Sequence, residues 1–239
     1  MSAPSIKTIA IVDSRLEEIF GIPRRSSRSS DPVGQLVGTI LSQATTDTQT
    51  ARSFDNLRRR FPTWEQVRDA PVAEIAKEIR SSGLSRQKAP WIKAALQDIT
   101  RARGRLELDF LKGMPPQEAK KWLMQIAGVG PKTASIVLLF TFQKPVFPVD
   151  THIHRIARRL GWVSPNASAE KVHELLEPLI PDKAHYRLHV NLIHLGREIC
   201  IARHPHCEVC PLTDIGIGTC AQSPCDLLSQ LYFLISFGI

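Results

Sequence analysis

Apolar side chains in this chain recur at three- and four-residue intervals, and no stretch shows the strict alternation of a half-buried strand. Asp31 followed by Pro32 predicts an N-cap and a first-turn proline, after which Val33, Leu36, Val37, Ile40, Leu41 and Ala44 share one helical face. Thr63 with Gln66 reads as a capping box, Val72, Ile75, Ala76 and Ile79 form the next stripe, and Gly83 is a helix stop. The stripes continue through Ile92, Ala95, Leu96 and Ile99, and then through Ala119, Trp122, Leu123 and Ile126. Ile153, Ile156, Ala157 and Leu160 make another face, as do Val172, Leu175, Leu176 and Leu179, and a last long helix is expected from about Lys183 to Ile199. About ten helices without an internal repeat predict an all-α protein, punctuated at Pro115-Pro116, Pro145, Pro148, Gly161 and Pro181. Arg24 to Ser30 is basic and serine-rich and reads as a linker or loop.

With 239 residues the chain can form one large domain or two lobes, each able to bury a core. Lys and Arg outnumber Asp and Glu by 31 to 23, a net charge of +8, which favours a polyanionic partner. Asp13, Glu17 and Glu18 interrupt the first twenty residues, so no secretory signal is expected there. The apolar stretch from Leu227 to Ile239 is too short to span a bilayer. An intracellular protein without a membrane partner is therefore expected. All five cysteines lie between positions 200 and 225, whereas a disulfide framework would staple distant segments, so a metal site in a reducing compartment is expected.

The most informative stretch runs Leu123-Met-Gln-Ile-Ala-Gly-Val-Gly-Pro-Lys-Thr-Ala134. Gly128 and Gly130 flank Val129 and permit a tight turn with exposed N–H groups, and the helix restarting at Pro131 adds its unpaired N-terminal donors. Such a turn cradles an anion. Lys132 follows, and Lys120 and Lys121 precede, so the cradle is basic and suits DNA phosphate held without sequence readout. Alone, Gly128 would be an ordinary helix C-cap and Gly130 a loop residue.

Lys132 falls in the first turn of its helix, where the positive end of the helix dipole disfavours an ammonium and favours the neutral, nucleophilic amine. That helix carries the chain away by roughly 16 Å, and residues 143–149, extended by Pro145 and Pro148, can bring it back over about 23 Å. The return ends at Asp150, the expected N-cap of a helix from Thr151 to Leu160. Singly, Lys132 reads as a phosphate-binding lysine and Asp150 as a cap; together they read as a nucleophile and its carboxylate.

These residues resemble the helix-hairpin-helix DNA glycosylases, in the endonuclease III branch. The resemblance rests on Ile126-Ala-Gly-Val-Gly-Pro-Lys-Thr-Ala134, on Pro148-Val-Asp-Thr-His-Ile-His-Arg155, and on Leu41-Ser-Gln-Ala-Thr-Thr-Asp47, and it extends from about Asp31 to Leu212. It implies a two-lobed all-α fold, with residues 33–144 forming a six-helix barrel and residues 1–32 with 145–239 forming a second lobe. It also implies Lys132 and Asp150 as catalytic residues, Gln43 as the side chain entering the gap left by a flipped base, and further DNA contacts at Gly128, Val129, Gly130, Thr133, His152, Arg203 and His204. Gly38 stands near the position where adenine-removing relatives carry an acidic residue, which argues against that specificity.

Cys200-x6-Cys207-x2-Cys210 is similar to the first three ligands of the family's 4Fe-4S loop, while the fourth cysteine is irregular: Cys220 is expected, with Cys225 the alternative. A zinc site completed by His204 or His206 is the other reading of the loop at 200–225. The resemblance thus implies a monomeric, bifunctional DNA glycosylase and AP lyase, acting in base-excision repair on double-stranded DNA that carries a damaged base or an abasic site, with oxidised pyrimidines as substrates. A monofunctional glycosylase and a non-catalytic DNA-binding module are the alternatives.

Overall fold

The structure, a computed structural model, describes residues 3–24 and 31–215. Among these it contains eleven α-helices, short 3-10 turns and no strand, an all-α fold. It divides into two compact units, Arg25–Val146 and the combination of Met1–Arg24 with Phe147–Ile239. The basic segment from Arg25 to Ser30, Cys220, Cys225 and the apolar stretch from Leu227 lie outside the described residues.

In the unit Arg25–Val146 the central element is α2 (Pro32–Leu41), which packs against α3 (Asp47–Arg60), α6 (Ser85–Arg103) and α8 (Pro131–Phe142). Asp31 starts α2 by accepting the Gly34 N–H at 2.8 Å, and its other oxygen accepts the Trp64 indole N–H at 2.8 Å. Val33, Leu36, Val37, Ile40 and Leu41 are buried as expected, but Ala44 is exposed with φ +52°, so it does not continue their stripe. The helix stops because the fully buried Lys88 takes up its end: the ammonium donates to Leu41 O at 2.8 Å and to Ser82 O at 2.7 Å. Burial pushes the Lys88 pKa down from its ordinary value.

Thr63 and Gln66 form the capping box of α4 (Trp64–Asp69), and α5 (Val72–Glu78) follows, with Val72 exposed at its first position rather than part of the buried stripe. α7 (Pro116–Leu123) leads into α8, whose Ala134, Ser135, Val137, Leu138 and Leu139 are all buried. A helix this apolar all round belongs inside a core. The Lys132 segment is therefore anchored on rigid structure.

The other unit packs α11 (His185–Glu198) against α1 (Ile6–Phe20) and α9 (Thr151–Arg159), with α10 (Ala169–Leu176) beside α9. Ile9, Val12 and Leu16 meet Ile153, Ile156, Ala157, Leu188, Leu192 and Leu195 in one core. Arg187 of α11 binds Asp13 through both carboxylate oxygens and Glu17 at 2.7 Å, so two of the acidic residues that break the N-terminal apolar pattern pair with α11. α11 begins two residues later than its apolar pattern suggests, because Asp182–Ala184 form a 3-10 turn after Pro181. No described helix is long and apolar enough to cross a membrane.

Candidate active site

The turn between α7 and α8 depends on one glycine rather than two. Gly128 has φ +76°, and a Cβ there would sit 3.0 Å from Trp91, whereas Gly130 is extended at φ −89° with open space around it. The Val129 side chain is buried, and its N–H donates within the turn, to Ile126 O at 3.1 Å. The N–H groups of Gly130, Lys132 and Thr133 meet no protein acceptor among the described residues, and these are what the turn offers an anion. The basic surround is thinner than expected: Lys121 is exposed, but Lys120 is buried.

Lys132 is exposed at the second position of α8. Gln43 lies against the same turn, its amide nitrogen 3.4 Å from both Gly128 O and Thr133 Oγ1. The Thr133 side chain is buried by this contact, which leaves only its backbone N–H for a ligand. Next to Gln43, a pocket of about 470 Å³ opens between α2 and α3, lined by Gln35, Gly38, Ser42, Thr50, Phe54 and Ile136 among others. Ile136, which lines this pocket, stands one helical turn beyond Lys132 on α8. The pocket is a feature the sequence pattern did not disclose, because its lining comes from three separate helices.

In the other unit, Asp150 caps α9: one oxygen, Oδ1, accepts the N–H groups of His152 at 2.9 Å and Ile153 at 2.8 Å. Oδ2 is left for other work. His152 is half-buried, its backbone N–H spent on Asp150 and its Nδ1 accepting from Arg155 at 3.1 Å, so Nε2 is the atom it can present. Its side chain packs so close to α11 that a Cβ on Gly196 would lie 2.6 Å from the His152 Cβ and 2.8 Å from Nδ1.

Arg155 and Arg159, one turn apart on α9, reach into the cysteine loop. Arg155 donates to Cys200 O at 2.9 Å and to Gly196 O at 2.7 Å; Arg159 donates to Cys200 Sγ at 3.2 Å and to Ile201 O at 2.7 Å. Sequence reading passed over both, although the arginines recurring on the polar face of α9 were a signal. Cys200 is buried and Cys207 and Cys210 are half-buried. Burial pushes the Cys210 thiol up, and charge on Cys200 and Cys207 adds to that.

Among the described residues no three His, Cys, Asp or Glu side chains converge on a single-ion site. Three soft thiols, with a cationic donor on one of them, suit an iron–sulfur group. Arg203 and His204 are exposed on this loop, His204 with φ +54°. Arg15 of α1 ties the far end of the loop through Pro211 O at 2.8 Å and both oxygens of Asp214.

Comparison with known proteins places this arrangement. Residues 37–182 match the HhH-GPD superfamily of base excision DNA repair proteins, and residues 200–215 match the iron–sulfur binding domain of endonuclease III. Endonuclease III of Thermotoga maritima is 34% identical over 200 residues, covering 84% of this chain and 89% of that one. A relative from Arabidopsis thaliana is 41% identical over 165 residues; the match takes in 69% of this chain and only 56% of that longer protein. The solved structure of a trapped covalent intermediate between endonuclease III and DNA superposes with a TM-score of 0.75 at 27% identity, covering 90% of this chain and 96% of its own.

The class is therefore that of helix-hairpin-helix base excision repair proteins. Within it, the chain belongs to the endonuclease III family.

Proposed function

We propose that the protein is a bifunctional DNA glycosylase and AP lyase that acts as a monomer on duplex DNA carrying a damaged base or an abasic site. The observation that carries this reading is the exposed Lys132 in the first turn of α8, set beside backbone donors that suit phosphate, in the unit that also holds a base-sized pocket. The damaged nucleotide is extruded, which costs least where pairing is already weak, and its base enters the pocket beside Gly38. Gln43, next to the hairpin, fills the gap in the duplex.

The neutral Lys132 amine attacks C1′ of the sugar; the new C–N bond replaces the glycosidic bond, whose electron pair leaves with the base as it takes up a proton. Oδ2 of Asp150 stabilises the positive charge that develops on the sugar and accepts the proton released from the amine. The nitrogen lone pair then expels the ring oxygen O4′, which takes up the proton held by Asp150, and the protonated imine so formed acidifies C2′; loss of that proton expels the 3′ phosphate by β-elimination. Arg203 and His204 meet phosphate farther along the strand, and His152 offers Nε2 to the same backbone. Cys200, Cys207, Cys210 and one further cysteine, Cys220 rather than Cys225, hold a 4Fe-4S cluster. When bound, the cluster braces the 200–215 loop. Oxidised or ring-saturated pyrimidines are the proposed substrates, and the covalent endonuclease III–DNA intermediate of the related structure supports the lyase step.

Borohydride reduction tests the proposal. Wild-type protein mixed with a duplex containing one abasic site should yield a covalent adduct, and Lys132→Gln should yield none while still binding that duplex. Base release without any adduct would mean a monofunctional enzyme using water. Neither release nor adduct on lesions from both pyrimidine and purine classes would leave a DNA-binding module.

A further inference from the structure

The three residues that lead into Asp150, Phe147 to Val149, belong to no helix, and Pro148 has no N–H to give. The hydrogen bonds at the Phe147 and Pro148 backbone come instead from buried or half-buried side chains on α10, on the 3-10 turn after it, and on α11. Glu177 Oε2 accepts the Phe147 N–H at 2.7 Å, His173 Nδ1 donates to Phe147 O at 2.5 Å, and His189 Nδ1 donates to Pro148 O at 3.0 Å. His173 and Glu177 also face each other at 3.3 Å, one turn apart, so one pair grips both polar groups of a single residue. Phe147 is fully buried, with its ring edge-on to His189 at 6.0 Å and to His185 at 6.2 Å.

Three polar side chains held inside a core for the sake of a short irregular segment are hard to account for as ordinary packing. An apolar core would be simpler, and each buried donor and acceptor is costly unless paired. What the segment delivers is Asp150, one residue beyond it. A side chain that must leave one oxygen available while the other caps α9 needs its backbone fixed on both sides. The cap fixes the C-terminal side through His152 and Ile153.

We propose that His173, Glu177 and His189 form a clamp that positions Asp150, acting on the reaction through the Phe147–Val149 backbone without touching DNA. The inference rests on the role given to Asp150 above.

The experiment is a double-mutant cycle read by single-turnover base release, on the lesion duplex the protein cleaves fastest, with affinity for abasic duplex measured alongside. His189→Leu removes one donor, and the rate should fall by about tenfold or more with affinity changed less than twofold. His189→Asn places an amide N–H near the position of Nδ1 and should recover most of the loss. In an Asp150→Asn background, His189→Leu should cost less than about twofold, because the group it positions is already gone. Equal losses in both backgrounds would overturn the clamp, as would an undiminished rate in His189→Leu.

If His189→Leu does not fold, Glu177→Leu against Glu177→Gln runs the same cycle at a residue nearer the surface, since Gln keeps an acceptor for the Phe147 N–H. An Asp150→Asn variant that releases base at the wild-type rate overturns the role of Asp150 and this inference with it. Additive losses overturn the clamp alone.

Discussion

Arg155 joins His152 to Cys200: its guanidinium donates to His152 Nδ1 at 3.1 Å and to the Cys200 carbonyl at 2.9 Å. Because the His152 N–H is itself held by Asp150, one arginine connects the capping carboxylate of α9 to the first residue of the cysteine loop. Arg155→Met keeps much of the side-chain volume and strands the carbonyls of Cys200 and Gly196, which should lower stability by about 1–3 kcal/mol. The readout that distinguishes this contact is iron release to a chelator, expected to be several-fold faster than in wild type. Release at the wild-type rate would mean that the loop holds its shape without α9.

Asp150→Asn should slow base release by more than about tenfold, the usual scale of lost electrostatic or proton-transfer help. The amide oxygen can still accept the N–H groups of His152 and Ile153, so the cap and the fold should persist. A rate within twofold of wild type, with melting temperature unchanged, would reduce Asp150 to a helix cap.

The two hairpin glycines should behave differently when each is changed to alanine. Gly128→Ala meets a left-handed backbone and a Cβ only 3.0 Å from Trp91, and should cost about 1–3 kcal/mol along with affinity for duplex DNA. Gly130→Ala enters open space on extended backbone and should cost well under about 1 kcal/mol. Equal losses would show that the turn has another geometry when DNA is bound.

Gly38 separates the pocket from the lysine chemistry. A Cβ there would touch the Phe54 ring at 3.7 Å, an ordinary contact, so the helix accepts a side chain while the pocket loses space to it. Gly38→Leu should therefore slow release of a damaged base by about tenfold or more, yet nick a preformed abasic site within about twofold of wild type. Equal slowing of both reactions would remove the pocket from the account.

Protein purified without oxygen should be brown, with about four irons and four sulfides per chain. Cys200→Ser, Cys207→Ser and Cys210→Ser should each lose iron, and Cys220→Ser should lose it more readily than Cys225→Ser. The reverse order would make Cys225 the fourth ligand. A colourless protein with one zinc would overturn the cluster while leaving Lys132 and Asp150 as they stand.

Sequence alone determined the all-α class, the first residues of α2, α4, α8 and α9, and the placing of Lys132 and Asp150 at helix starts. These depend on signals confined to a few neighbours: apolar spacing on one face, Asp31 and Asp150 as caps, Pro32 and Pro131 in first turns, and the Thr63 and Gln66 box. Tertiary structure decided what each of those residues does next. The end of α2 at Leu41 is set by Lys88, forty-seven positions away, and no local pattern carries that information. Val129 and Lys120 read as parts of a phosphate cradle because glycine spacing and charge are visible in one dimension, whereas burial is not. The pocket beside Gly38, the arginines that tie α9 to Cys200, and the side chains that grip Phe147 and Pro148 all join segments far apart in the chain. Each exists only because packing the apolar faces brings those helices within hydrogen-bonding reach, and that distance is a property of the folded core rather than of the sequence order.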